Sequence, residues 1–335
     1  ETFDDVNGNG AFDGCFDDPL AERCAEGFND TNGNGHFNTI FMGGFDPRRP
    51  ANATAAPISV RALVLTHNAP GTSPTQYMAW VTVDLVGLTG SRIAKATDLL
   101  HDAGFDRDRI VVTATHNHQA PDTVGLFGDP LNLISGFDEA YLEQVTNAIE
   151  QSVRQAAAKL VPVTLHVGQT WMHQDHPYFD GSHTQDNPKV RSTFGMVNDI
   201  RDPLIISDQL LVIRGTQRDT DSGVFTLTSW AGHPEVEGGD NLNISADWVG
   251  VTRDVLETKL GGTALHVPES LGGMQSALFL ALPKIDENGI HHHEVCSAED
   301  TTNPDDAGCH ARQAGEPRLD SGGQPVPIFS PAESR

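Results

Sequence analysis

The stretch IVVTATHNHQAPD, from Ile110 to Asp122, decides the fold and offers the first candidate site. Its first six residues are small or β-branched, which is typical of a buried strand. His116-Asn117-His118 follows, and side chains two positions apart point to the same side of an extended chain. Two imidazoles just past a strand end form a pair of metal ligands, or a ligand and a proton carrier. The alternative is a polar turn with two exposed histidines.

Composition narrows the classes of partner. The chain has 335 residues, with 46 acidic against 21 basic side chains, and a net charge of −25. This charge disfavours nucleic acid and anionic membrane surfaces, and it favours calcium, which takes oxygen ligands. No apolar run approaches the ~20 residues that a membrane helix needs. The chain begins with ETFDDVNGNG, which we interpret as a mature product whose signal peptide has been removed.

The four cysteines fall into two local pairs within acidic, loop-like stretches. Cys15 and Cys24 form the first pair, and Cys296 and Cys309 form the second. Neither pair has the spacing of a zinc knuckle or a redox motif. We therefore expect two local disulfides, an oxidising compartment and a secreted or cell-surface location.

An internal repeat near the start predicts calcium binding. FDDVNGNGAFD (Phe3–Asp13) recurs as FNDTNGNGHFN (Phe28–Asn38). Oxygen-bearing side chains occupy positions 1, 3, 5 and 9 of each loop, namely Asp5, Asn7, Asn9 and Asp13, then Asp30, Asn32, Asn34 and Asn38. Gly stands at position 6, as in the first half of an EF-hand loop, and Asp17 could replace the missing Glu of the first copy. About two structural calcium ions are expected; the alternative is a pair of ion-free Asn-Gly turns.

The remaining sequence predicts an α/β fold with a mostly parallel or mixed sheet, flanking helices and the irregular calcium-loop segment in front. Three organisational units are expected: tandem calcium loops (1–45), an α/β domain (46–285) and a loop-rich acidic tail (286–335). Strands are predicted over residues 58–66, 77–87, 108–115, 161–169, 207–216, 223–231 and 263–270. Helices are predicted over 91–104, 137–160 and 245–262. Asp138 and Ser245 are the candidate N-caps of the second and third helices, and the pair Gly261-Gly262 is expected to end the third. Residues 170–206 are expected to form a long loop.

Three polar motifs follow predicted strands. They are HNHQAPD after 108–115, AGHPEVEGGDN after 223–230 and SLGGMQS after 263–268. Ligands in open α/β sheets bind outside the carboxyl ends of strands. His116, His118 and His233 are therefore candidates for one zinc site, since a catalytic zinc takes about three protein ligands and keeps one open position.

The same stretches resemble the neutral/alkaline non-lysosomal ceramidase family. VTATHNHQAP, MAWVTVDLVGL, the segment from LTSWAGHPEV to NISADWVGVTR, and SLGGMQSAL resemble four family motifs in the family's order, across residues 45–282. The resemblance implies one zinc ion that activates water to hydrolyse an N-acyl sphingosine. It implies His116 and His233 as zinc ligands and His118 as a hydrogen-bonding or proton-transfer residue. Backbone N–H groups of Gly272 and Gly273 would help to hold the oxyanion.

The chain also departs from the family pattern. The position of the family's active-site Ser holds Gln275, and Ser276 comes one residue later. The Glu and Tyr that complete the family's zinc site lie farther downstream. Glu294, next to His291-His292-His293, is the one candidate replacement, but the pattern favours a solvated metal-trapping loop, or no metal at all, in this tract.

Two functions follow from these observations. The first is a secreted zinc amidohydrolase whose substrate is an amide lipid, with a homo-oligomer or a second chain completing the zinc site. The second is an inactive extracellular structural or adhesion protein that keeps the fold and uses the calcium loops for assembly. A serine hydrolase is disfavoured because no GxSxG motif is present.

Overall fold

Two β-sheets and three α-helices form the framework of the computed structural model. The structure describes residues 29, 39–67, 76–130, 133–171, 192–193, 197–198, 207, 209–272, 274, 276, 281–283, 293–304, 306–326 and 329–331. The α-helices are α1 (Gly90–Asp98), α2 (Glu139–Ala157) and α3 (Asp247–Leu260). Short 3-10 helices span His101–Ala103, Arg107–Arg109 and Asp300–Thr302.

The strands are numbered in chain order. They are β1 (Ala53–Thr54), β2 (Val60–Thr66), β3 (Tyr77–Val83), β4 (Ile110–Ala114), β5 (Val163–Trp171), β6 (Ser192–Thr193), β7 (Val197–Asn198), β8 (Gln209–Gln217), β9 (Gly223–Trp230), β10 (Asn243–Ile244), β11 (Thr263–Pro268), β12 (Ala281–Pro283) and β13 (Phe329–Pro331). Every strand that the sequence predicts in the α/β body is present, with ends that differ by a few residues. The mixed α/β class is therefore confirmed.

The first sheet has the strand order β2-β3-β4, in which β3 runs antiparallel to β2 and parallel to β4. The parallel pair aligns Val83 with Ala114, so both chains leave the sheet at the same edge. Helices α1 and α2 cover one face, and the core between them is made of residues such as Val81, Leu100 and Ile149. This edge, where β3 and β4 end together, supports the candidate site.

Helix α2 shows why the local sequence folds as it does. The Asp138 side chain accepts a hydrogen bond from Tyr141 N–H at 2.7 Å and so acts as the N-cap that the sequence predicts. Such a cap contributes about 1 kcal/mol. Leu142, Val145 and Ile149 recur on one face and are buried against the first sheet, which is the expected pattern of an amphipathic helix.

The second sheet has the order β11-β9-β8-β5. Strands β11 and β9 are parallel, whereas β8 is antiparallel to both of its neighbours. Phe225, Leu227 and Leu265 are buried in this sheet and pack against Leu63 and Trp80 of the first sheet. Apolar side chains from the two facing sheets thus pack against each other and are buried between the sheets.

Helix α3 is stopped by the Gly pair that the sequence predicts. Gly261 and Gly262 have φ values of 69° and 78°, which L residues with a side chain rarely adopt. A Cβ at Gly262 would also lie 2.4 Å from the backbone of Val224. At the other end, the predicted N-cap Ser245 precedes the helix by two residues, and its Oγ accepts a hydrogen bond from Asp247 N–H at 3.1 Å.

Helix α1 is shorter than predicted. It ends at Asp98, and the chain reaches Gly104 through a 3-10 turn. The predicted long loop at 170–206 lies mostly outside the described residues, and its described parts include the end of β5 and the short strands β6 and β7.

A disulfide joins Cys296 and Cys309 in the tail, as expected. It is consistent with an oxidising compartment. The other predicted disulfide, between Cys15 and Cys24, lies outside the described residues. Both predicted calcium loops lie outside them as well. Across the described part of the chain, every helix is too short or too polar to pass through a bilayer.

Candidate functional site

The loop after β4 carries two of the candidate histidines. Three backbone hydrogen bonds fix it, from Thr115 N–H to Val83 O (2.9 Å), Asn117 N–H to Leu85 O (3.0 Å) and His118 N–H to Pro234 O (2.9 Å). His116 has a φ of 66°, an uncommon left-handed conformation for a residue with a side chain. Strain of this kind persists where the surrounding structure enforces it and is common at functional sites.

Asn117 separates the two histidines and anchors the loop inside the protein. Its side chain is fully buried. The Asn117 amide donates to Ser245 O at 2.7 Å and accepts from Gln119 N–H at 3.0 Å. Since Asn117 is fastened to the interior, the imidazoles on either side of it are held in place together.

His233 joins these two imidazoles from the loop after β9. The ring centroids of His116, His118 and His233 lie 4.7–5.0 Å apart in all three pairs. One nitrogen from each ring lies within 4.8 Å of the others, so the three form a group that could bind a metal. The Nε2 of His118 and the Nε2 of His233 are 3.2 Å apart.

Backbone carbonyls orient two of the three rings. The Nδ1 of His116 lies 2.7 Å from Val86 O, and the Nδ1 of His233 lies 3.1 Å from Met274 O. A carbonyl oxygen only accepts, so each Nδ1 carries the proton and donates it. The Nε2 atoms of His116 and His233 are therefore left with lone pairs, as a metal ligand requires.

Burial keeps the imidazoles neutral. It lowers the pKa of His116 and of His233 below the ordinary value for histidine. The pKa of His118 falls to about 2, because the ring is buried and has the other two imidazoles and Arg49 nearby. Neutral imidazole is the form that binds metal ions.

Glu235 lies on the far side of His118, with its Oε2 3.7 Å from the Nδ1 of that ring. The other carboxylate oxygen accepts Ser276 N–H at 3.1 Å, and the Ser276 hydroxyl also hydrogen-bonds this carboxylate. Burial raises the pKa of Glu235 above its ordinary value. Within the described residues no lysine or arginine forms a salt bridge with Glu235.

Hydrogen bonds from the side chain of Arg49 connect the surrounding loops. Its guanidinium is buried and donates to carbonyl oxygens and one amide, namely Gly43 O, His118 O, Gly239 O, Asn241 O and Gln119 Oε1. Burial lowers the pKa of Arg49 to about 10, with Asp46 and Asp240 opposing the shift. These bonds connect the strand-end loop that carries His118 to the loop that follows His233.

Apolar and aromatic groups close the site on the Phe45 side. The Phe45 ring meets the His118 ring edge-on, with centroids 5.0 Å apart. Gly44 has a φ of 112°, and a Cβ there would lie 2.4 Å from Cγ of His118. Only glycine fits this position, because both its backbone conformation and the neighbouring ring exclude a side chain.

The other predicted site residues that the structure describes lie in different surroundings. Ser276 is buried and bonds to Glu235, whereas Gly272 has nothing within 4 Å of its Cβ position. Glu294 belongs to the tail, where it pairs with Arg318. Gly273 and Gln275 lie outside the described residues.

Sequence reasoning missed the supporting residues. Glu235 follows His233 by two positions, a spacing that could have marked it in the same way as the His116–His118 pair. Arg49 carried no local signal, because its acceptors come from distant loops.

Comparison with known proteins identifies the family. The sequence model described as "Neutral/alkaline non-lysosomal ceramidase, N-terminal" matches residues 26–319. The chain belongs to this family. Its predicted membership is therefore confirmed, and the chain is a divergent member. No curated protein matches the chain.

Two solved ceramidases share the fold. The neutral ceramidase of Pseudomonas aeruginosa is 20% identical with a TM-score of 0.53, and the match covers 72% of this chain and 37% of that one. A ceramidase complexed with C2 is 19% identical with a TM-score of 0.51, covering 71% of this chain and 36% of that one. The chain thus spans little more than a third of the length of these ceramidases.

Proposed function

We propose that this protein is a zinc-dependent hydrolase that cleaves the amide bond of an N-acyl lipid. The observation that carries the proposal is the convergence of His116, His118 and His233 on one buried point. Membership of the ceramidase family supports the substrate class. The proposed ligand set is the three-histidine set that the strand ends predict, whereas the family resemblance implies only His116 and His233 as ligands.

The donor set fits zinc. All three donors are imidazole nitrogens, which zinc accepts readily, whereas calcium and magnesium prefer oxygen. Two nitrogens bound to one tetrahedral zinc lie about 3.3 Å apart, from a Zn–N distance of about 2.05 Å. The Nε2 atoms of His118 and His233 are separated by 3.2 Å. Bound zinc supplies a Lewis acid for the amide carbonyl and lowers the pKa of its water towards ~7.

The protein's own groups would prepare the site for this chemistry. Val86 O and Met274 O hold the rings of His116 and His233 with Nε2 directed inwards. Phe45 shields one side of His118 from water, and a low dielectric strengthens electrostatic interactions with a polarised carbonyl. The backbone N–H groups of Gly272 and Gly273 are proposed to donate to the oxyanion.

Zinc content and hydrolysis test the proposal together. The intact chain, purified without chelators, should contain about one zinc ion and should hydrolyse a fluorogenic N-acyl amide lipid. His116→Ala should lose both. His166→Ala is the matched control, because His166 lies on β5 and bonds to Thr216, and it should retain both. Wild-type protein without zinc at this site would refute the proposal.

An inactive family member is the second candidate. Gln275 at the position of the family's active-site Ser favours it. In that case the wild-type chain would bind zinc and hydrolyse no amide, and Gln275→Ser would be the variant to assay for a gain of hydrolysis.

The tandem loops support calcium binding and an extracellular location. We propose one structural calcium ion per loop from the repeated oxygen pattern, and secretion from the local disulfide in the tail. Calcium titration of the intact chain should raise its melting temperature, and a combined Asp5→Ala and Asp30→Ala variant should abolish the increase. An unchanged melting temperature in the wild type would refute calcium binding.

A further inference from the structure

We propose that Glu235 is a positioning residue that accepts the Nδ1 proton of His118 and so directs the Nε2 of that ring to the point shared with His116 and His233. The inference rests on the proposed zinc site. It goes beyond it by assigning a function to a buried carboxylate that the ligand set does not include.

The three rings differ in the partners of their Nδ1 atoms. His116 and His233 each have a carbonyl acceptor for Nδ1, at 2.7 and 3.1 Å. The Nδ1 of His118 is buried and has no hydrogen-bond partner. Leaving a buried polar atom without a hydrogen-bond partner lowers the stability of the folded protein. When the Nδ1 of His118 carries a proton, it therefore needs an acceptor.

Glu235 is the carboxylate that lies near this nitrogen of His118. Its Oε2 is 3.7 Å from the Nδ1 of His118, which is beyond a hydrogen bond. A shift of less than about 1 Å would complete one, and hydrogen bonds at catalytic sites are often long before the site is loaded. Both side chains are buried, with 7% of His118 and 4% of Glu235 exposed, so water competes little for this contact.

Hydrogen bonds to neighbouring residues anchor Glu235. Ser276 donates its N–H at 3.1 Å to Oε1, and its hydroxyl bonds to the same carboxylate. Glu235 N–H also donates to His233 O at 3.0 Å. The carboxylate is therefore held from behind, and Oε2 is the oxygen that faces His118.

The neutral ring of His118 has two tautomers. With the proton on Nε2, the ring would donate to the Nε2 of His233 across 3.2 Å, and its Nδ1 lone pair would face a carboxylate. With the proton on Nδ1, the N–H faces Glu235, and the Nε2 lone pair faces the other rings. The carboxylate favours the second tautomer, because an N–H is attracted to it and a lone pair is repelled.

This tautomer is the one that binds a metal through Nε2. Histidine ligands commonly donate their other ring N–H to a carboxylate or carbonyl, and loss of such a partner lowers metal affinity by about 10–100-fold. In this site His116 and His233 use carbonyls, and Glu235 would complete the set.

The first experiment measures zinc affinity. Metal-free wild-type chain and Glu235→Gln are titrated with zinc against a chromophoric chelator. Gln replaces one acceptor oxygen with a donor, so Ser276 and His118 can no longer both be satisfied. The dissociation constant should increase about 10–100-fold.

Glu237→Gln is the matched control. Glu237 lies in the same loop, but its carboxylate accepts from Ser245 Oγ and Asn241 Nδ2. Zinc affinity should be unchanged in this variant. Equal affinities for wild type and Glu235→Gln would overturn the positioning function while leaving the zinc site intact.

The second experiment measures the tautomer directly, first in the wild type and then in two variants of Glu235. Nitrogen-15 chemical shifts of ring-labelled histidine in the metal-free wild type should show His118 protonated at Nδ1. Glu235→Gln should move the proton towards Nε2, where His233 becomes the better acceptor, and Glu235→Asp should retain it on Nδ1. A purely structural function of Glu235 would leave the tautomer unchanged.

The two experiments separate the two proposals. A wild-type chain that binds no zinc refutes the zinc site, and the nitrogen-15 shifts still decide the inference about Glu235. Protonation of His118 at Nε2 in the wild type would overturn that inference, whatever the zinc affinity.

Discussion

A buried ion pair between Asp84 and Arg253 fastens helix α3 to the first sheet beneath the candidate site. The two N–H donors of Arg253 each lie 2.7 Å from a different oxygen of Asp84, and both residues are 2% exposed. We expect Arg253→Met to lower the free energy of unfolding by about 3–5 kcal/mol, because it leaves a buried carboxylate without its countercharge. Ser59 would remain as its donor, through N–H at 2.8 Å and Oγ at 2.9 Å.

A double-mutant cycle separates the pair from the rest of the structure. Asp84→Asn leaves the Arg253 guanidinium buried and should cost a similar amount. With both substitutions neither charge remains, so the combined loss should be close to that of one single variant. The resulting coupling energy should be about 3–5 kcal/mol, which equals the loss in one single variant.

Urea unfolding of the full chain, followed by far-ultraviolet circular dichroism, measures these differences. Arg154→Met is the matched control, since Arg154 pairs at the surface with Asp102, and its unfolding midpoint should not move. Exposed pairs contribute little because water screens them. Losses below about 1 kcal/mol for both single variants, or fully additive losses, would refute the assignment of this pair as a buried, coupled interaction.

Three further predictions concern other residues. Gly44→Ala should weaken zinc binding, because the new Cβ would collide with the His118 ring. Gly90→Ala is the control and should not weaken it, since nothing lies within 4 Å of the Cβ position there. Zinc titration of both variants checks this prediction. Burial raises the pKa of Asp247 from 3.8 to about 6, so its contribution to stability is present below pH 3.8 and is lost as the pH rises through 6. Relative to Asp247→Asn, the wild type should therefore lose about 2.4 kcal/mol of unfolding free energy between pH 4 and 7 in urea titrations, at 1.36 kcal/mol per pKa unit. Asp138→Ala removes the N-cap of α2 and should cost about 1 kcal/mol in the same assay.

Each of these three predictions has an outcome that would contradict it. Equal zinc affinity in wild type and Gly44→Ala would mean that the His118 ring is free to move. A difference between wild type and Asp247→Asn that does not change with pH would contradict the raised pKa. An unchanged unfolding free energy in Asp138→Ala would show that the cap adds nothing to α2.

The sequence alone determined the local elements. The period of apolar residues in α2, the Asp138 cap and the Gly261-Gly262 stop all depend on neighbours within a few positions, so they could be predicted without knowing the fold. The paired spacing of His116 and His118 after a strand was of the same kind. Four motifs in the right order were enough to indicate the family.

Only the tertiary structure decided how these parts meet. Strands predicted as one sheet form two facing sheets, because the order of strands depends on contacts between distant segments. The same long-range packing brings His233 to His118, 115 positions apart in the chain, and sets Glu235 behind that ring. Arg253 lies 169 positions from Asp84, and no local pattern could pair them. Whether a charged side chain is buried, and which partner neutralises it, depends on tertiary contacts.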